Sequence, residues 1–184
     1  MAANPSSVHH HRIELRLRDL AQLFNSMDPT PFHHKDLDPD AEKFIESWAL
    51  EFPPDSRFHI SIHLEKAPPD GDPAALVTEA VHNYFQYEAE LVRRDLRQLL
   101  RQGRISMVIG LSFLASCLLI ADELSRLASA GTFLSIVRES LTIGGWVALW
   151  RPLEIFLYDW WPLVRRRRIY LNLARAQIRV TTGT

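Results

Sequence analysis

One apolar run fixes most of what this chain can fold into: Ile105–Ala121, ISMVIGLSFLASCLLIA, seventeen residues without a charge. As a helix it is about 25 Å long, close to the ~30 Å hydrocarbon core of a bilayer. Its polar members are three serines and Cys117, and serine hydroxyls are tolerated in lipid because they bond back to the helix's own carbonyls. The competing reading is a buried core helix of a soluble protein. The flanks count against that reading: Arg93, Arg94, Arg97, Arg101 and Arg104 precede the run. Beyond a second apolar segment come Arg165, Arg166, Arg167 and Arg168, whereas Asp122, Glu123, Arg126, Arg138 and Glu139 between the segments nearly cancel. Arginine on the outer flanks is the positive-inside pattern and puts both termini in the cytoplasm.

The second segment, Leu141–Leu163, is less uniform. It carries Arg151, Glu154 and Asp159 among apolar residues, with Trp146, Trp150, Tyr158, Trp160 and Trp161 as candidate interfacial anchors. Pro152 removes a backbone donor and predicts a kink, or an end to the helix near Trp150. Glu154, three residues after Arg151, shares its helix face. A lone charge at the bilayer centre costs about 2.5–3.5 kcal/mol on insertion scales, so the pair is expected to neutralise itself or to face protein or water. An earlier span, Thr132–Trp150, would bury Arg138 and Glu139 instead, at no smaller cost. The later span is preferred, with Thr132–Ser140 as a surface or re-entrant helix on the far side.

Charge divides the chain. Residues 1–90 hold seven Lys+Arg against sixteen Asp+Glu, and residues 91–184 hold fourteen against six. An acidic head argues against nucleic-acid binding, and a basic collar (Arg101, Arg104, Arg165, Arg166, Arg167, Arg168) fits anionic lipid head groups. One cysteine leaves no disulfide framework and no thiolate metal site. The polar start MAANPSSVHHHR reads as a disordered tail over residues 1–11, without the apolar stretch of a signal peptide.

Along the soluble part, Arg12–Arg18 alternates as a half-buried strand with Ile13, Leu15 and Leu17 inward. Phe58–Glu65 does the same with Phe58, Ile60, Ile62 and Leu64, and Ala176–Thr181 with Ile178 and Val180. A connector spans Asp19–Asp40. Asp38 or Asp40 should cap a helix over Ala41–Phe52 that Pro53-Pro54 stops. From Ala74 a helical pattern runs without a breaker into the first span. Its stripe of Val77, Val81, Tyr84, Tyr87, Leu91 and Leu99 must pack on something, and the lower part outruns a small domain, which leaves self-association open. Ile169–Arg175 reads as a short basic helix. The C-terminal strand can pair with the strand at Arg12 or the one at Phe58, in a right-handed parallel unit.

Chemistry-bearing residues do not converge. His59 and His63 lie about 13 Å apart along one strand, too far to share an ion, and suit a solvated face. His33 and His34 with Asp36, Asp38 and Asp40 match no metal-ligand spacing and suit turn and capping duty. No phosphate-cradling glycine loop, nucleophile elbow or Cys/His arrangement is present, so neither a catalytic residue nor a metal or cofactor is expected. The charged group Arg151, Glu154 and Asp159 is the candidate site. It could line a polar path made by several copies, lock a helix interface, or snorkel from an interfacial helix.

Two stretches, Trp150–Leu163 (WRPLEIFLYDWWPL) and Ile13–Phe32 (IELRLRDLAQLFNSMDPTPF), resemble a family of uncharacterised small bacterial two-span inner-membrane proteins. The likeness covers nearly the whole chain and implies a location, without an activity or ligand. The expected fold is an α+β membrane protein: a two-helix transmembrane hairpin over 101–168, with spans near 105–121 and 141–163. A small cytoplasmic α/β domain over 12–100 would carry a three-stranded sheet closed by the C-terminal strand, with 169–184 returning to it. The expected function is that of a non-enzymatic homo-oligomer in the bacterial inner membrane, a scaffold or gated pore. The alternative is an accessory subunit docked onto a larger membrane complex.

Overall fold

A computed structural model describes residues 10–25, 36–66, 73–127 and 132–182. Of the tail expected over residues 1–11, His10 and His11 instead begin the first strand, and the part before residue 10, His33 and His34 in the connector, and the turn at 68–72 lie outside the described residues. The chain forms two compact units, Met1–Arg93 with Val164–Thr184, and Arg94–Leu163.

Unit 1 is built on three parallel strands, β1 (His10–Leu17), β2 (Arg57–Leu64) and β3 (Gln177–Thr182), in the order β1-β2-β3. The register sets Ile13 beside Ile60 and Ile60 beside Ile178, so the apolar residues of all three strands share one face. Ile13, Leu15, Phe58, Ile60, Ile62 and Leu64 are buried there, as the alternation predicts. The other face holds Arg12, Glu14, Arg16, Arg179 and Thr181, all exposed. The expected closure by the C-terminal strand is corrected: β3 pairs with β2 alone and ends the sheet as an edge opposite β1. Its alternate residues Ile178 and Val180 are only half-buried, so it extends the core without sealing it.

Helix α1 (Pro39–Glu51) starts where Asp38 accepts a hydrogen bond from the Asp40 amide at 3.0 Å and Pro39 needs no donor. Its buried Ala41, Ile45 and Ala49 recur every four residues. Helix α2 runs unbroken over Pro73–Leu127. In unit 1 it buries Val77, Ala80, Val81, Phe85, Ala89 and Val92. Tyr87, expected on the buried stripe, is 56% exposed because the contact follows Phe85 and Ala89 instead. Ile169, Tyr170 and Leu173 of α5 (Trp160–Leu173) complete the core.

Unit 2 holds the rest of α2 and a return arm. The transmembrane hairpin of two helical spans is corrected here: among the described residues one helix, α2, is long and apolar enough to cross a membrane. The expected second span, Leu141–Leu163, is not continuous. Helix α3 (Thr132–Val147) runs through the expected boundary at Leu141, a turn at Ala148–Leu149 interrupts it, and the short α4 (Trp150–Glu154) leads into a π turn (Ile155–Asp159). Pro152 gives the reason. Its ring would collide with the carbonyl four residues back, at Ala148, in a continuous helix. The chain tightens there, with the Leu149 amide donating to Trp146 at 3.1 Å, and restarts with Pro152 in the first turn of α4, where no donor is needed.

Glycines set how closely the arm approaches α2 within unit 2. A Cβ on Gly103 would stand 2.7 Å from Ile155, one on Gly110 3.0 Å from the Ala148 carbonyl, and one on Gly145 2.8 Å from Leu114. Gly103, Gly110, Leu114, Cys117 and Ala121 are buried in steps of seven, four, three and four along α2. The arm therefore runs antiparallel to α2 along a seam of mostly small residues.

Candidate functional site

The charged group in the return arm comes together. Arg151 lies 3.1 Å from Glu154 and 3.1 Å from Asp159, and the Trp150 indole donates to the other Glu154 oxygen at 3.0 Å. Glu154 reaches Arg151 from three residues on, as helix geometry allows. Asp159 does not follow from that geometry. Eight residues advance about 800° around an ideal helix and would leave Asp159 about 80° off the Arg151 face. The π turn takes up one extra residue, so Asp159 returns to the register of a seventh residue and meets the guanidinium. One cation is thus held by two carboxylates of its own arm, leaving the cluster one negative charge in excess.

Around this cluster the surface is apolar. Trp146, Trp150, Tyr158 and Trp161 are exposed, Trp150 by 68%, whereas Trp160 is half-buried and donates to the Phe156 carbonyl at 2.9 Å. On α2, Ile105, Val108, Ile109, Leu111, Phe113, Leu118, Leu119 and Ile120 are exposed, Leu119 by 69%. Only 22% of the most apolar stretch of α2 is buried. The Ser112 and Ser116 hydroxyls donate to the carbonyls four residues back, as expected of serines in an apolar surround.

The basic collar divides between the units. Arg101 and Arg104 are exposed on α2. In unit 1, Arg165 donates to the Leu50 carbonyl at 2.7 Å, and Arg166 lies 2.8 Å from Glu46 and donates to the Tyr170 hydroxyl at 2.9 Å. Arg167 is half-buried and Arg168 exposed. Arg166 sits in a network joining α1, α2 and α5. Burial is the largest effect on Tyr170 and raises its pKa, and the neighbouring Glu46 raises it further. Tyr84 is raised first by burial, then by its hydrogen bond to Glu42. Glu88 is raised by burial and then by the Glu42 charge, with Arg166 opposing.

A second concavity escaped the sequence. At the amino ends of the strands in unit 1, a cleft of about 780 Å³ is lined by Arg12, His59, His82, Arg175, Gln177 and Arg179, among others. The His82 Nε2 donates to the Ala176 carbonyl at 2.8 Å. His63 faces Thr181 at 2.6 Å rather than sharing an ion with His59. No group of three potential ligands able to hold a metal occurs among the described residues. The alternation of arginine and histidine with apolar residues in all three strands was the available signal. Only the strand register shows that these side chains converge.

No protein-family model, curated protein or solved structure matches the chain.

Proposed function

We propose that this is a non-enzymatic membrane scaffold in which unit 2 is inserted in the bilayer and unit 1 is held at its cytoplasmic surface. The observation carrying the reading is the packing of unit 2, where Gly103, Gly110, Gly145, Cys117 and Ala121 form most of the seam, joined by Leu114, Leu149 and Ile155, while most of the large apolar residues are outside. Lipid tails are as apolar as leucine, so helix contacts in lipid favour small residues that let backbones approach, and large apolar side chains face outward. In water the same surface would be an apolar patch calling for a partner. Strand β3 pairs with β2, so a chain that leaves unit 1 along α2 re-enters it on the same side. The return runs through the interrupted arm, not through a second continuous span. The arginines flanking both ends of unit 2 favour the cytoplasmic side, and the resemblance of Trp150–Leu163 and Ile13–Phe32 would make that membrane a bacterial inner one.

A scaffold fits better than a pore because Arg151, Glu154 and Asp159 are bonded to one another within one arm, although the cluster keeps one excess negative charge. Copies would associate through the exposed apolar surface of unit 2. The exposed tryptophans of the arm also suit a docked partner, which is the alternative role of an accessory subunit.

The test is extraction from the membranes of expressing cells. Alkaline carbonate should leave the protein in the pellet and detergent should release it as a closed multiple of 21.2 kDa. Cys117, buried in the glycine seam, should resist a water-soluble maleimide until the protein is denatured. A chain that is monodisperse in buffer without detergent would sink the reading, and a detergent-released monomer would favour the accessory role.

A further inference from the structure

In unit 1 the carboxyl ends of α1 and α5 feed into β2 and β3 beside the cleft at the amino ends of the strands. Arg12 comes from β1, His59 from β2, Arg175 and Arg179 from around the start of β3, and His82 from α2. A smaller cavity of about 300 Å³ shares His59, Arg175 and Gln177 with it and adds Arg57 and Ser56. Neither lining contains a carboxylate. Glu14 lies 3.0 Å from Arg12, but among the described residues Arg57, Arg175 and Arg179 form no ion pair. Each helix carboxyl end brings about half a negative charge. Four guanidiniums outweigh those two ends and Glu14, so the potential in the cleft stays positive.

We propose that this cleft binds a small anion carrying at least two phosphate groups. Guanidinium forks match phosphate oxygens in pairs. Several arginines from three strands need more than one negative charge to balance them. The phosphates belong either to a soluble diphosphate or to a lipid head group. The inference stands apart from membrane insertion, since every residue named is in unit 1.

The test uses the full chain in non-ionic detergent, titrated calorimetrically with inorganic pyrophosphate and with orthophosphate at constant ionic strength. Pyrophosphate should bind once per chain, about tenfold or more tighter than orthophosphate. The double variant Arg175→Gln/Arg179→Gln should lose about tenfold or more, and Lys43→Gln on α1 nothing. A melting temperature without ligand equal to that of the wild type shows that the double variant is folded. Absence of saturable binding, or equal binding by the double variant and Lys43→Gln, overturns the proposal. In nanodiscs, cardiolipin, whose head group carries two phosphates, identifies a lipid source if it competes with pyrophosphate on the wild type but not on the double variant. Indifference to cardiolipin, with pyrophosphate binding intact, identifies a soluble one.

Discussion

In unit 1 the buried side chains are large. Phe58, Ile60, Ile62 and Phe85 are covered, and the sheet face turned away from them carries Arg12, Arg16 and Arg179. In unit 2 the order is reversed. The seam holds Gly103, Gly110, Gly145, Cys117 and Ala121, and Phe113, Leu119, Ile143 and Trp146 point outward. Hydrophobic burial explains the first arrangement, because apolar area removed from water contributes roughly 25 cal/mol per Å². It explains less of the second, where Leu114, Leu149 and Ile155 are covered but most of the large apolar side chains are left outside and close backbone approach is gained. The same chain therefore follows two packing rules, and α2 passes from one to the other without a break. Its buried residues change from Val77, Val81 and Phe85 to Gly103 and Gly110 along a single helix.

The sharpest way to break this contrast is to delete the same side chain in each unit. Phe85→Ala should destabilise unit 1 by about 3–5 kcal/mol, because it leaves a cavity as well as losing buried area. Phe113→Ala, exposed on the same helix, should change stability by less than about 0.5 kcal/mol. Urea unfolding in detergent, followed by hydrogen exchange of amides in each unit, reads both. Comparable losses from the two substitutions would mean that Phe113 is covered in the folded protein and that the inversion is not real.

The glycines give a smaller effect but one of opposite sign at two neighbouring sites. Gly110→Ala puts a Cβ 3.0 Å from the Ala148 carbonyl, a backbone atom that cannot swing aside. It should cost about 1–3 kcal/mol, as overpacking does. At Gly144 nothing lies within 4 Å of the added Cβ, and Ala is the better helix former, so Gly144→Ala should gain about 0.5–1 kcal/mol. Thermal melting of the two variants decides this. Equal shifts of the same sign would remove the close seam between α2 and the arm.

How much of this the sequence disclosed depends on how far apart the cooperating residues lie. Strands β1 and β2 and helix α1 were legible because alternation and an Asp-Pro cap act within a few residues. The length of α2 was legible for want of any breaker. The return arm was misread as one span because hydropathy and tryptophans mark an apolar segment but not its continuity. Pro152 breaks the helix two to four residues upstream of itself, and the π turn leaves no periodic signature. So Arg151 with Glu154 could be paired from their spacing, whereas the approach of Asp159 could not. The open edge at β3 and the basic cleft were illegible for a further reason. They depend on register between strands more than a hundred residues apart, with Ser61 beside Arg179.

The finest difference between the units is electrostatic, and it concerns Glu88. Burial and then the Glu42 charge raise its pKa above the ordinary glutamate value; Arg166 opposes, and Glu46 and Asp36 add to the rise. The folded chain therefore holds this proton more tightly than the unfolded chain. The stabilisation from the protonated acid is complete below the ordinary glutamate range and is lost as pH rises through the higher folded value. Glu88→Gln keeps the shape and cannot ionise. Its stability relative to the wild type should be near zero at about pH 4 and grow with pH, reaching less than about 1 kcal/mol near neutrality because the group is partly screened by water. Chemical unfolding of both proteins across that range measures it. A difference that stays flat, or that shrinks as pH rises, would show that Arg166 dominates Glu88 and that the carboxylates of α1 do not crowd it.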